Sequence, residues 1–150
     1  MTSCRPAPPV CALLLLVAGC SGGGADAGSE KTVTAADSRP YSGIGAGEAI
    51  HFTGTEPFWG GEVSGDTLTY QTPDDQKGRQ IAVARFAGRN GVSFSGDLDG
   101  KPLVLAITPG RCSDGMSDRA YPFAATLQVR GEQRQGCAWT ERQPFSGPRA

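Results

Sequence analysis

Between residues 48 and 142, apolar and polar residues alternate with a period of two. Ile50 and Phe52 alternate with His51 and Thr53, and Leu68 and Tyr70 with Thr67, Thr69 and Gln71. Phe123, Ala125, Leu127 and Val129 alternate with Ala124, Thr126, Gln128 and Arg130. Successive side chains of a strand point to opposite faces, so each run reads as a half-buried strand. Further candidate strands cover 58–63, 80–87, 91–95, 102–108 and 134–140. Turn signals separate them: Ser64-Gly65-Asp66, Pro73-Asp74-Asp75, Gly88-Arg89-Asn90-Gly91, Asp99-Gly100 and Arg130-Gly131-Glu132. Asn-Gly and Asp-Gly suit hairpin turns, where a positive φ is needed. Apart from one short helical turn expected within 111–121, no window carries a helical period. About eight short strands with hairpin-length links predict a small antiparallel barrel or sandwich, in the simplest case a meander. Closure would remove exposed strand edges. The predicted core holds Ile50, Phe52, Trp59, Val63, Leu68, Tyr70, Ile81, Val83, Phe94, Leu103, Leu105, Ile107, Phe123, Leu127, Val129 and Trp139.

The N-terminal segment has a different character. Arg5 precedes a compact apolar run, Val10 to Ala18, too short for the ~20 residues of a spanning helix and suited to a signal peptide. The run ends in Val17-Ala18-Gly19-Cys20, a lipobox. The expectation is removal of residues 1–19 and lipid modification of Cys20, with anchoring worth about 0.8 kcal/mol per buried methylene. Ser21 after the lipidated cysteine favours the outer membrane of a cell with two membranes. Residues 20–47 then form a linker rich in Gly, Ser and Ala, with a root-mean-square span of roughly 25–30 Å. Residues 48–142 form the β domain, and 143–150 a frayed tail. Loss of Arg5 leaves the mature chain slightly more acidic than the full-length net charge of −1. That balance argues against nucleic acid as a charge-driven partner.

Cys4 and Cys11 leave with the signal, and Cys20 is lipidated. Cys112 and Cys137 remain, and a single disulfide is the simple reading in an oxidising compartment. A metal or redox pair is the rival, but there is no CxxC spacing and His51 is the single histidine. A lone histidine on the polar side of a strand gives neither a Ser-His-Asp set nor a zinc site. No cofactor or metal is expected. Asp97-Leu98-Asp99-Gly100 has the start of a calcium loop but lacks the later Gly-x5-Glu part, and fits a hairpin turn better.

Two motifs stand out. In Gly54-Thr55-Glu56-Pro57-Phe58-Trp59, Phe58 and Trp59 point to opposite faces, one toward core and one toward surface. Glu56 with an exposed aromatic could serve a ligand or partner; alternatively Glu56 caps local amides in a turn before a core strand. Residues 111–123, from Arg111 through Asp114, Met116, Ser117, Asp118, Arg119 and Tyr121, form a polar loop tied by Cys112 to Cys137. Asp114, Ser117 and Asp118 can accept backbone N–H groups and hold a compact turn. Arg111 and Arg119 can pair with those carboxylates or with Glu56. Such a loop at a barrel mouth is a common place for binding, or it is a self-satisfied structural turn.

These motifs, GTEPFW with CSDGMSDRAYPF and GCA, resemble those of a group of uncharacterised bacterial envelope lipoproteins, over roughly residues 48–140. The resemblance implies paired cysteines and one compact β domain, and no activity. Related domains occur beside membrane-bound inhibitors of C-type lysozyme, an analogy of context that assigns no function.

The reading of function is a non-enzymatic envelope binding module, monomeric, presenting a polar face to an envelope protein, a glycan or a small ligand. Glu56, Arg111, Asp114, Asp118 and Arg119 should then meet at one barrel end. The alternatives are an inhibitor of a peptidoglycan-cleaving enzyme acting through Arg111 or Arg119, a structural envelope domain, and a hydrolase using Glu56 with Asp114 or Asp118. The disulfide reading makes a direct prediction. Cys112→Ser with Cys137→Ser opens a loop whose closure is worth roughly 3.5 kcal/mol, so denaturant unfolding should show a loss of that order. Unchanged unfolding would mean that the cysteines are not paired.

Overall fold

The computed structural model describes residues 39–148. The signal segment, the lipobox with Cys20 and the linker up to residue 38 lie outside the described residues, as do 149 and 150. Eight strands follow: β1 (Ile50–Thr55), β2 (Phe58–Ser64), β3 (Thr67–Thr72), β4 (Asp75–Ala87), β5 (Val92–Leu98), β6 (Lys101–Cys112), β7 (Tyr121–Val129) and β8 (Glu132–Thr140). Each pairs antiparallel with the next, and β8 returns to pair with β1, closing a barrel. Cys112 and Cys137 are joined by a disulfide, with Cα atoms 5.6 Å apart.

The fold is the all-β meander that the alternation predicts, with local differences. Strand β4 starts at Asp75 rather than at residue 80, because Pro73-Asp74 alone makes the turn and the polar residues after it join the ladder. The helical turn expected within 111–121 is replaced by strand and bends, and the described residues contain no helix. Strand β6 instead continues past a bulge between Pro109 and Cys112, so that Cys112 pairs with Tyr121 and only 113–120 remain as loop.

Two hairpin turns place non-glycine residues at positive φ: Asp99 (57°) before Gly100 (76°), and Arg130 (53°) before Gly131 (86°). Two consecutive positive φ values are the type I′ signature, which matches the twist of the flanking strands. The Asp97 carboxylate accepts the Gly100 N–H at 2.7 Å, as a hairpin turn requires.

Fifteen of the sixteen predicted core residues are buried inside the barrel; Trp139 is the exception. Ala138 and Thr140 set the inward phase of β8, so Trp139 faces outward and stacks on His51, its partner in register, at 5.3 Å between centroids. Ile44, Val92, Leu98, Ala125 and Ala138 complete the core.

In an up-and-down barrel the links alternate between two ends. Turns 56–57, 73–74, 99–100 and 130–131 share one end, called the mouth below. Turns 65–66 and 88–91, loop 113–120 and both chain ends of the barrel leave from the other. That second end is closed by residues 41–48, all but the last of which the composition assigns to the linker. Ile44 is 2 % exposed and belongs to the core, the Arg85 guanidinium donates to its carbonyl at 2.9 Å, and the Tyr41 N–H donates to the Gly88 carbonyl at 2.7 Å. The Glu48 carboxylate accepts from the Gly45 N–H and pairs with Arg142 at 2.9 Å, while the Gln143 amide donates to the Gly43 carbonyl. Burial would raise the Glu48 pKa, but bonds from Thr140, Gly45 and Arg142 outweigh it and hold the group below the usual range. The expected fraying after residue 143 also stops short, since Ser146 exchanges backbone bonds with Ala120.

Closure at the β1–β8 seam depends on glycine. A Cβ at Gly136 would lie 2.2 Å from the Thr53 carbonyl oxygen, and one at Gly54 would lie 2.0 Å from the Trp59 Nε1. The Trp59 indole lies against both glycine positions with its Nε1 buried and unpartnered among the described residues. Gly136→Ala forces backbone atoms apart at the seam, and should destabilise by about 2–4 kcal/mol in denaturant titration. Gly100→Ala, with open space around its Cβ but a positive φ, should cost about 1 kcal/mol. A seam variant no worse than the turn variant would contradict the close approach.

Candidate functional site

The disulfide and the 109/112 bulge fold the motif loop back along the outer side of the wall. Thr55 donates its hydroxyl to the Asp114 carbonyl at 3.2 Å, fastening the loop to the end of β1. Asp114 organises the loop interior. Its Oδ1 accepts the N–H groups of Met116 (3.0 Å) and Ser117 (2.8 Å), and its Oδ2 accepts the hydroxyls of Ser117 (2.7 Å) and Tyr121 (3.2 Å). Ser117 Oγ in turn accepts the Arg119 N–H, and Ser113 Oγ the Gly115 N–H. Beneath the loop, Cys137 and Tyr121 are buried, although neither belongs to the main core. Tyr121 packs on Trp139 and Phe145, with centroids 5.5 and 5.4 Å away, and Phe145 also meets Trp139 edge-on.

The motif residues are therefore divided among several surfaces. Glu56 and Asp114 line one hollow of about 500 Å³, with Gln133 and Gln135. Arg111 lines another with Tyr121, Pro144 and Ser146. Arg119 lies 4.7 Å over the Phe145 ring and donates to the Pro148 carbonyl at 2.9 Å. Asp118 and Met116 are exposed. Among the described residues, no ion pair joins Arg111 or Arg119 to Asp114, Asp118 or Glu56. The expected gathering of these five charged residues at one end does not occur, because the bulge turns the loop against the wall instead of over an opening. In the first motif, Trp59 is 3 % exposed and Phe58 is 53 % exposed, so the two aromatics divide between core and surface.

The denser chemistry lies at the mouth. A cavity of about 400 Å³ opens there between the turns, with Pro57, Phe58 and Pro73 on its rim. Tyr70, Leu98 and Val129 supply its buried wall, and Asp74, Asp75, Arg79, Arg130 and Arg134 its charge. Arg79 and Arg130 both clamp Asp99, the latter at 3.0 Å. Bonds from Arg130 and Arg79 hold the Asp99 carboxyl below its ordinary range. Arg134 sits deeper. Its side chain is 18 % exposed, and one Nη donates to the Tyr70 hydroxyl at 2.7 Å. The other Nη donates to Glu132 at 2.9 Å.

Sequence reasoning singled out none of these arginines. A signal did exist. Arg79 precedes Ile81 and Val83, and Arg134 precedes Gly136 and Ala138, each at the inward phase of its strand. A charged residue at an inward position is unusual unless it is paired or lines an opening.

Asp114 gives the loop a pH signature. The Ser117 N–H, followed by the Ser117 hydroxyl, the Met116 N–H and the Tyr121 hydroxyl, overcomes partial burial and lowers its pKa to about 2 from 3.8. A depressed folded-state pKa contributes stability that is complete above the unfolded value and lost as pH falls through the folded one. Thermal melts should therefore lose stability between roughly pH 4 and pH 2. Asp114→Asn should be less stable at pH 7 and show a shallower acid decline; an identical decline would remove this role. The chain matches no family model, no curated protein and no solved structure in the comparisons with known proteins.

Proposed function

We propose that the chain is a non-enzymatic binding module of the bacterial envelope, held there by lipid on Cys20, and that its site is the barrel mouth. The observation that carries this reading is the cavity itself. It is concave, its wall is partly apolar, and several donors converge within it, which is the usual make-up of a small-ligand site. An exposed aromatic at the rim adds a flat contact surface at Phe58. The polar loop then has a supporting role. It covers the disulfide and fixes the β6–β7 and β8 walls, and Asp114 spends its acceptor capacity inside the loop.

The same facts weigh against the hydrolase reading. A carboxylate pair needs one acid and one free base or nucleophile, whereas both Asp114 oxygens are engaged by donors of its own loop. The inhibitor reading asks for a projecting arginine; Arg119 is laid across Phe145, which leaves the exposed Arg111 as its one candidate of the two.

The test uses the full chain, purified in detergent and immobilised. It should retain low-molecular-mass components of an envelope extract, read by mass spectrometry. Phe58→Ala combined with Arg79→Ala should release most of the retained material, while Arg111→Ala should retain it. Retention untouched by the mouth variants but lost with Arg111→Ala would move the site to the loop. Conversion of the retained compounds into products would contradict the non-enzymatic reading.

A further inference from the structure

We infer that the mouth is a receptor for a carboxylate carried on a sugar ring, with Arg134 as the residue that grips the carboxylate. This inference rests on the reading of the mouth as the binding site and names its ligand chemistry.

The argument starts from unused donors. A guanidinium has five N–H groups in a planar fork and no acceptor. Among the described residues, two bonds are made by Arg134, to the Tyr70 hydroxyl and to Glu132, and its buried Nε has no partner at all. Arg79 and Arg130 differ, because Asp99 lies between them and answers both. The cavity therefore holds one deep cation that is short of acceptors. Such donors, taken from water and left unpaired, are costly, and an entering anion relieves that cost.

The type of anion follows from what already touches Arg134. Glu132 is a carboxylate of this same chain, its side chain 66 % exposed, resting on a guanidinium that is 18 % exposed. The carboxylate half of this pair is solvated, and that screening weakens its hold on the guanidinium. Glu132 is thus a weakly held partner of one guanidinium edge, and its rotation into solvent frees that Nη beside the unpartnered Nε, while the other Nη stays on the Tyr70 hydroxyl. Carboxylates match that fork in a two-point, planar fashion.

The rest of the ligand is read from the rim. Phe58 presents an open ring beside Pro57 and Pro73, a surface suited to the C–H face of a pyranose. Thr72, Asp74 and Asp75 line the same cavity and offer oxygen acceptors for hydroxyl groups. A cation at depth, an aromatic rim and hydroxyl acceptors together describe a uronic-acid-like ligand better than a bare organic acid.

The experiment is calorimetric titration of the full chain in detergent with D-glucuronate, D-glucose, D-glucose 6-phosphate and acetate. Glucuronate should bind at least about tenfold tighter than glucose or acetate, the factor that one charge-assisted bond supplies. Glu132→Gln removes the internal competitor from an exposed position, and should tighten glucuronate by roughly threefold or more. Arg134→Gln should weaken it by at least about tenfold, with thermal melting to confirm that the variant is folded. Arg134→Lys should give an intermediate loss. Glucose binding as well as glucuronate would overturn the carboxylate assignment and leave the mouth standing as a site. Tighter binding of glucose 6-phosphate would overturn it in favour of phosphate. Unchanged or weaker glucuronate binding in Glu132→Gln would overturn the competitor role, and absence of binding by all four compounds would overturn the inference outright. The retention assay on the Phe58 and Arg79 variants decides the mouth itself independently.

Discussion

The pairing of Ile50–Thr53 with Cys137–Thr140 is the constraint on which the rest depends. Seven hairpin links bring strands together by local steps, but this last ladder joins residues nearly ninety positions apart. Without it β1 and β8 would be open edges and the inward side chains would face water on two sides. With it, Phe52, Trp59, Phe94 and Phe123 share one interior. The ladder is possible because the chain has glycine where the two strands and the Trp59 ring come closest. The disulfide acts at the same place, since Cys137 is the β8 partner of Thr53 and is tied to the end of β6.

Much of this was legible in the alternation of side chains. The number of strands, the meander, the turns at 99–100 and 130–131 and nearly all of the core follow from a period of two and turn chemistry. The failures have physical causes. The first half of β4 is polar on both faces near the mouth, so no alternation marks it. Trp139 looks like core by composition, but small inward residues on either side of it fix the phase the other way. Ile44 is a single apolar residue among glycines, and nothing local distinguishes a plug from a linker. The 109/112 bulge shifts the pairing register by a count that composition does not carry.

The site was legible in a different measure. Loop 111–123 announces itself by polarity, and the structure uses that polarity mostly inward. Asp114 with its four donors is an anchor for backbone that would otherwise have no partners. Conspicuous residues are in this case a cost of covering Cys137 and Tyr121. The mouth arginines are inconspicuous because Arg79 is far in sequence from Arg130 and Arg134, and only the closed barrel brings β4 to a common opening with β8 and the turn before it. Arg130 shows the coupling between fold and charge: the positive-φ turn that reverses the chain also presents the guanidinium to Asp99, itself in the neighbouring turn of the same type.

The closed end has a mechanical meaning. The N-terminal chain joins the domain at Tyr41–Glu48, at the end opposite the mouth. Tension applied along that chain does not reach β1 directly. It meets first the Tyr41–Gly88 bond, the Ile44 plug with Arg85, and the Glu48–Arg142 and Gly43–Gln143 contacts. Those contacts share the load among β4, the β4–β5 turn and the segment after β8, so that a pull is resisted by three parts of the domain rather than by the first strand alone. The mouth turns, at the opposite end of the strands, take no part in these contacts.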